Sequence, residues 1–167
     1  GVGAINSPLR AAMPCFMCQR TPSKRVIFVL GGPGSGKGTQ CAKLVEKFGY
    51  SHVSVGDSLR TEVAVGGETS ALINKFITEG EIVPAFITVA LLKRAIDASE
   101  SGTVLLDGFP RALDQVGLFN EVAGMDCAFV LFFDCNEAVL TARLLERGKT
   151  SGRADDNLES IQKRLVT

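Results

Sequence analysis

The sequence predicts an α/β fold, a doubly wound parallel sheet with helices on both faces. Three observations predict it. An apolar run, Val26-Ile27-Phe28-Val29-Leu30, turns through the glycines of residues 31–40 directly into a helical pattern. Further apolar runs at 103–106 and 128–133 are nearly continuous, the pattern of strands covered on both faces. Helical patterns separate the runs, and alternation of strand and helix belongs to that layered architecture. At 167 residues, 46% of them hydrophobic, the chain is the size of one domain with a substantial core.

The elements follow in order. Residues 1–24 have no helical or strand period and carry Pro8, Pro14 and Pro22 beside Arg10, Arg20 and Lys24. They read as a tail, and Glu46 is the first acidic residue of the chain. A basic, acid-poor tail leaves two readings open, an organelle-targeting segment or an added extension. The helix after the glycines has an apolar face of Cys41, Leu44, Val45 and Phe48. Residues 51–55 form a short strand ending at Gly56-Asp57, where Asp57 can cap a helix. Up to Val83 two short helices are expected, broken at Gly66-Gly67 and at Gly80, with a thin stripe of Leu72, Ile73, Phe76 and Ile77. Residues 57–83 thus read as a small flap that opens cheaply. Pro84 starts a longer helix through Val89, Leu92 and Ile96. The strand at 103–106 ends in Asp107-Gly108, and the strand at 128–133 ends in Asp134. A helix bearing Arg143 and Arg147 can stop at Gly148. Asp156 and Glu159 then give a capping-box-like start to a helix that carries Arg164.

Charge excludes some partners. Lys plus Arg and Asp plus Glu are equal at 18 each, so no global positive field draws nucleic acid or an anionic membrane. No apolar run approaches the roughly 20 residues that cross a bilayer. Small-molecule partners and a monomer are expected. Cysteines at 15, 18, 41, 127 and 135 are odd in number and scattered, which suits a reducing compartment and a cytoplasmic location. The lone Cys15-Phe16-Met17-Cys18 has no second pair at zinc-site spacing and is given no role.

The chemistry concentrates in three stretches. Gly31-Gly32-Pro33-Gly34-Ser35-Gly36-Lys37-Gly38-Thr39, between strand and helix, is a phosphate cradle. Its backbone N–H groups turn inward, the helix N-terminus adds partial positive charge, and Lys37 adds a full one. Thr39 can put its hydroxyl on Mg²⁺, although Gly38 takes the place that hydroxyl usually holds. In Asp107-Gly108-Phe109-Pro110-Arg111, Asp107 ends a buried strand where its carboxylate can orient the waters of Mg²⁺, and Arg111 projects over the same sheet edge. The third stretch, 143–156, gathers Arg143, Arg147, Lys149 and Arg153 in and around a Gly/Ser loop. Several cations around a migrating phosphoryl group, under a lid that shuts out water, are what phosphoryl transfer requires.

Together GGPGSGKGTQ, DGFPR and ERGKTSGRADDN, in this order, resemble the adenylate kinase and UMP-CMP kinase family of nucleoside-monophosphate kinases. The resemblance runs from about Arg25 to Thr167. It implies a P-loop NTPase-type sheet, a monophosphate-binding flap at 57–83, a short lid at 148–157, and ATP with Mg²⁺. By motif, Gly34, Ser35, Gly36, Lys37, Gly38 and Thr39 would hold ATP phosphates, with Arg143 and Arg147 clamping the triphosphate. Val55, Gly56, Arg60, Val83, Gly108, Arg111, Gln115, Arg153 and Arg164 would form the monophosphate site. Lys37, Arg111, Arg147, Arg153 and Arg164 would be catalytic, Thr39 and Asp107 would serve Mg²⁺, and Asp155 and Asp156 would brace the lid arginines. No general base is needed, because the acceptor is already an anion. His52, the only histidine, is expected to be structural.

The resemblance divides over the acceptor. Gln115 matches the adenine-pairing glutamine of AMP-selective relatives, while Ala112 stands where pyrimidine kinases carry an asparagine. Val55 is closer to the small apolar residue of pyrimidine kinases, and the Phe129 to Cys135 strand also looks more like theirs. Gln115 can bond the base directly, so AMP is the first expectation and UMP or CMP the alternative. A nucleoside kinase would not need both Arg60 and Arg111, nothing resembles a guanine-reading motif, and an inactive nucleotide-binding module would not need every motif arginine. Relatives continue for about one more strand and helix, so the kinase domain is expected to be incomplete at its C-terminus. No cysteine stands at 148–157, which excludes the zinc-bearing lid of some relatives.

Overall fold

The computed structural model describes residues 24–153 and 158–166. The expected tail up to residue 23, the Cys15/Cys18 pair, Asp155 and Asp156 lie outside these residues. The element order is β1 (Arg25–Gly31), α1 (Lys37–Phe48), β2 (Ser51–Ser54), α2 (Val55–Val65), α3 (Glu68–Glu79) and α4 (Ala85–Ala98). Then come β3 (Thr103–Asp107), α5 (Leu113–Ala123), β4 (Cys127–Phe133), α6 (Glu137–Gly148) and α7 (Leu158–Val166).

The four strands form one parallel sheet in the order β2-β3-β1-β4. Alternation along a strand sends successive side chains to opposite faces, and the core divides accordingly. Val26, Phe28, Val104 and Leu106 join one large cluster with residues of α2 to α5, while Ile27, Val29 and Leu105 pack with Cys41 of α1 on the other face. The central strands β1 and β3 are therefore covered on both sides, as their apolar runs predict. β4 is not: Phe129 and Val130 are each 49% exposed and Phe132 68%. Among the described residues β4 pairs with β1 alone.

Three other expectations change. α2 begins at Val55, because the Ser54 hydroxyl accepts the Asp57 N–H at 3.3 Å and caps the helix; Asp57 sits in its first turn, where a carboxylate meets the positive helix end. The α2–α3 pair also shares the main core, with Leu59 and Ile73 at 3% and 0% exposure and Phe76 and Ile77 packed against them. Only Leu72 of the expected stripe is open to solvent. On α1, Cys41 is buried but Phe48 is exposed and stacks on Tyr50, with ring centroids 5.4 Å apart.

One aromatic cluster positions the site. Phe109, fully buried, packs edge-on against Phe28 of β1 at 5.3 Å and, tilted, against Phe119 of α5 at 5.3 Å. It anchors the turn after β3, so that Arg111 emerges at the C-terminal edge of the sheet. In parallel α/β sheets that edge is where ligands bind. Among the described residues no helix is long and apolar enough to cross a membrane.

Candidate active site

The glycine loop lies between β1 and α1 as the sequence predicts. Gly34 has φ +82°, and a Cβ there would stand 3.2 Å from both the Leu140 carbonyl oxygen and Leu144 Cγ, so the loop is seated directly on α6. Lys37 Nζ donates to the Gly31 and Gly32 carbonyls at 2.9 and 3.0 Å, which holds the ammonium across the loop mouth. Arg143 reaches the loop from α6, donating from Nη1 to the Gly34 carbonyl at 3.3 Å. Ser35 Oγ is buried without a hydrogen-bond partner among the described residues. An orphaned hydroxyl in a glycine loop that leads into a helix is one that a phosphate oxygen would satisfy.

Asp107 ends β3 beside the start of α1; a Cβ on Gly38 would lie 3.8 Å from its Oδ2. Thr39 is exposed one residue further on. A hydroxyl and a carboxylate flanking the cradle are hard oxygen donors, the kind that hold Mg²⁺ directly or through its waters, so this donor set fits the ion. His52 Nε2 lies 3.3 Å from Asp107 Oδ2. That hydrogen bond, helped by Cys41 and opposed by burial, pushes the imidazole up to about 10.

A second cleft opens next to the loop, lined by Gly56, Leu59, Arg60, Ile77, Gly80, Glu81, Val83, Arg111 and Arg164. Five residues of the expected monophosphate site are thereby brought together from α2, the α3–α4 connection, the β3–α5 turn and α7. Their charge reaches Lys37: burial lowers its affinity for a proton most, Asp107 opposes this, and Arg111 and Arg164 lower it further. Three cations crowding one another beside a glycine loop describe a place for highly charged anions.

Other expected residues lie elsewhere. Val55 is 2% exposed within the main core and does not line the cleft. Gln115 is equally buried, and its Oε1 accepts the Arg111 backbone N–H at 2.9 Å, which fixes the amide orientation. That bond ties the amide to the turn that aims Arg111. Gly108 stays beside that turn, its carbonyl accepting from Arg111 Nε at 3.2 Å. Arg147 lies in the last turn of α6, its carbonyl accepting the N–H groups of Thr150 at 3.0 Å and Ser151 at 2.8 Å.

Two contacts were not anticipated. Asp57 Oδ1 accepts from Arg60 Nη2 and lies 3.6 Å from Arg153 Nη2, so one carboxylate joins α2 to the segment after α6. Burial would push the Asp57 carboxyl up, but hydrogen bonds from Arg60 and Ser54 and the charges of Arg60 and Arg153 hold it below the usual range. The spacing of Asp57 and Arg60, three apart on a helix, was the available signal. The other contact joins α3 to α7. Gly80 has φ +70°, a Cβ there would meet Ser160 Cα and its carbonyl at 3.3 Å, and Ser160 Oγ donates to the Thr78 carbonyl at 3.1 Å. The end of α3 thereby sets the position of α7 one turn before Arg164.

Residues 29–167 match the family model described as adenylate kinase. The chain belongs to the adenylate kinase and UMP-CMP kinase family. Its relatives include a Gallus gallus protein named UMP-CMP kinase, 53% identical over 150 residues that span 85% of this chain and 76% of the relative. An Arabidopsis thaliana protein named probable UMP-CMP kinase 1 is 51% identical over 148 residues, 89% of this chain and 72% of its own. The Homo sapiens UMP-CMP kinase is 51% identical over 150 residues, 85% and 76% respectively. With the family comes the reaction class, since nucleoside-monophosphate kinases are phosphotransferases with a phosphate group as acceptor.

Proposed function

We propose that this chain transfers the γ-phosphoryl of ATP to UMP or CMP, giving the pyrimidine nucleoside diphosphate and ADP. The observation that carries the reading is the convergence of Arg60, Arg111 and Arg164 on one cleft beside the Lys37 loop. A nucleoside hydroxyl would not need such a charge, whereas an acceptor phosphate does. AMP, the first expectation, gives way to the alternative for two reasons. The relatives that share about half of their residues with this chain are named UMP-CMP kinases. And Gln115, on which the AMP reading depended, is 2% exposed and is not among the residues that line the cleft.

Each residue then has a task. The N–H groups from Gly34 to Thr39 and the Ser35 hydroxyl hold the donor phosphates, and Lys37 leaves the Gly31 and Gly32 carbonyls to follow the γ-phosphoryl. Arg60, Arg111 and Arg164 hold the acceptor phosphate in line, through charge-assisted bonds worth roughly 1.5–3 kcal/mol each. An acceptor oxygen bonds to the γ-phosphorus as the bond to the β–γ bridging oxygen breaks, and that oxygen leaves with ADP. Arg143, Arg147 and Arg153 neutralise the charge as it shifts. Mg²⁺ held by Thr39 and, through water, by Asp107 would screen the phosphate oxygens and fix their geometry. A cleft closed over both nucleotides would exclude water that could take the phosphoryl group.

A coupled assay with ATP, Mg²⁺ and, in turn, UMP, CMP, AMP, uridine and cytidine tests this. We expect kcat/KM for UMP or CMP to exceed that for AMP by at least about tenfold, with no transfer to nucleosides. Preference for AMP, or phosphorylation of a nucleoside hydroxyl, would overturn the reading.

A further inference from the structure

One cluster beside the phosphate loop has donors that Mg²⁺ does not require. Cys41 of α1, His52 of β2 and Asp107 of β3 bring a sulfur, a ring nitrogen and a carboxylate oxygen within 4.8 Å of one another. Three elements of the rigid core hold them: β2 and β3 are paired in register, and Cys41 is fully buried against the sheet. The His52 and Asp107 side chains are 24% and 12% exposed, so an ion can reach the cluster from their side. Mg²⁺ takes oxygen donors and keeps its waters, whereas a thiolate, an imidazole and a carboxylate together suit Zn²⁺ and similar ions. Bonds to such an ion are about 2.3 Å from sulfur and 2.0–2.2 Å from nitrogen and oxygen. Three protein ligands leave one position for water or a phosphate oxygen.

We propose that Cys41, His52 and Asp107 form a site for a thiophilic divalent cation of the Zn²⁺ class. Entry of the ion releases the thiol proton and the imidazole proton to solvent, and its charge replaces the His52–Asp107 hydrogen bond in balancing the carboxylate. One consequence rests on the proposed kinase activity. With Asp107 turned to this ion, it no longer orients the waters of Mg²⁺, and phosphoryl transfer is inhibited.

Co²⁺ serves as a spectroscopic stand-in for Zn²⁺, added without nucleotide to the full chain with Cys15, Cys18, Cys127 and Cys135 changed to Ser. Circular dichroism checks that each variant is folded. We expect a thiolate-to-cobalt charge-transfer band at one equivalent, removed by Zn²⁺ and absent after a further Cys41→Ser. His52→Asn, which leaves the buried thiol in place, should weaken Co²⁺ binding at least about tenfold, the scale for disturbing even an outer partner of a ligand. No band in the folded single-thiol protein, or a band indifferent to His52→Asn, overturns the site. In the same protein Zn²⁺ should inhibit transfer at saturating Mg²⁺ and ATP, and Cys41→Ser should relieve the inhibition. A band without inhibition overturns the link to Asp107, whereas a band in a protein that phosphorylates no monophosphate overturns the kinase reading and leaves the site standing.

Discussion

The donor and acceptor sides of the cleft are built in opposite ways. The donor side is one short stretch of chain, a glycine loop seated on α6 and flanked by β1 and β3, whose Val26, Val29, Leu105 and Leu106 are fully buried. Its chemistry comes from consecutive backbone groups and Lys37. The acceptor side is assembled from distant parts of the chain, with Arg60 on α2, Arg111 after β3 and Arg164 on α7. Its geometry depends on how helices dock, through the Gly80–Ser160 contact and the Asp57 link to Arg60 and Arg153. A local site is set by sequence, and a convergent one by packing. Damage to the first should therefore remove turnover, and damage to the second should weaken acceptor binding in steps.

The largest effect should follow Lys37→Met. Loss of the cation that accompanies the γ-phosphoryl should lower kcat by about a thousandfold, with the melting midpoint nearly unchanged because the ammonium meets loop carbonyls and not core. Activity close to that of the natural chain would remove the loop from the donor role. Next come Arg60→Ala and Arg111→Ala, each expected to raise KM for the acceptor by roughly one to two decades while ATP binding measured by calorimetry stays constant. If ATP affinity fell instead, the two sides of the comparison would be exchanged.

Gly80→Ala sharpens the contrast at smaller amplitude. The new Cβ would be strained at positive φ and pressed on the Ser160 backbone, at a cost on the order of 1 kcal/mol. We expect a slightly lower melting midpoint and a several-fold rise in acceptor KM, with the donor KM unmoved, because α7 carries Arg164 with it. An unchanged acceptor KM would show that α3 does not register α7.

The donor side was the most legible in the sequence because its residues are consecutive and their conformation is dictated by glycine and a helix start. The central strands were legible for a similar reason, since apolar runs report burial on both faces. At β4 the apolar run is matched by one paired neighbour among the described residues, since such a run does not say which element covers it. Val55 and Gln115 show another limit: a residue's place in a motif does not tell how its side chain is packed, and both are 2% exposed here. Cys41 of α1, His52 of β2 and Asp107 of β3 come from separate elements, so strand pairing together with the packing of α1 on the sheet brings them together.

A pH-dependent effect concerns the His52–Asp107 pairing. The folded state raises the His52 imidazole from 6.5 to about 10, so the stabilisation it gives is full below pH 6.5 and fades as pH rises through about 10. Denaturant unfolding across that window should show the natural chain losing more stability than His52→Asn. Parallel curves for the two would mean that the imidazole is not paired in solution.

The division between donor and acceptor sides is tested most directly by a crystal structure with a bisubstrate analogue, adenosine and uridine joined through five phosphates. The account predicts the adenosine-side phosphates on the N–H groups from Gly34 to Thr39 with Lys37 at the bridge, and the uridine-side phosphate on Arg60, Arg111 and Arg164. A reversed orientation, or a uridine phosphate that touches none of those three arginines, would contradict it.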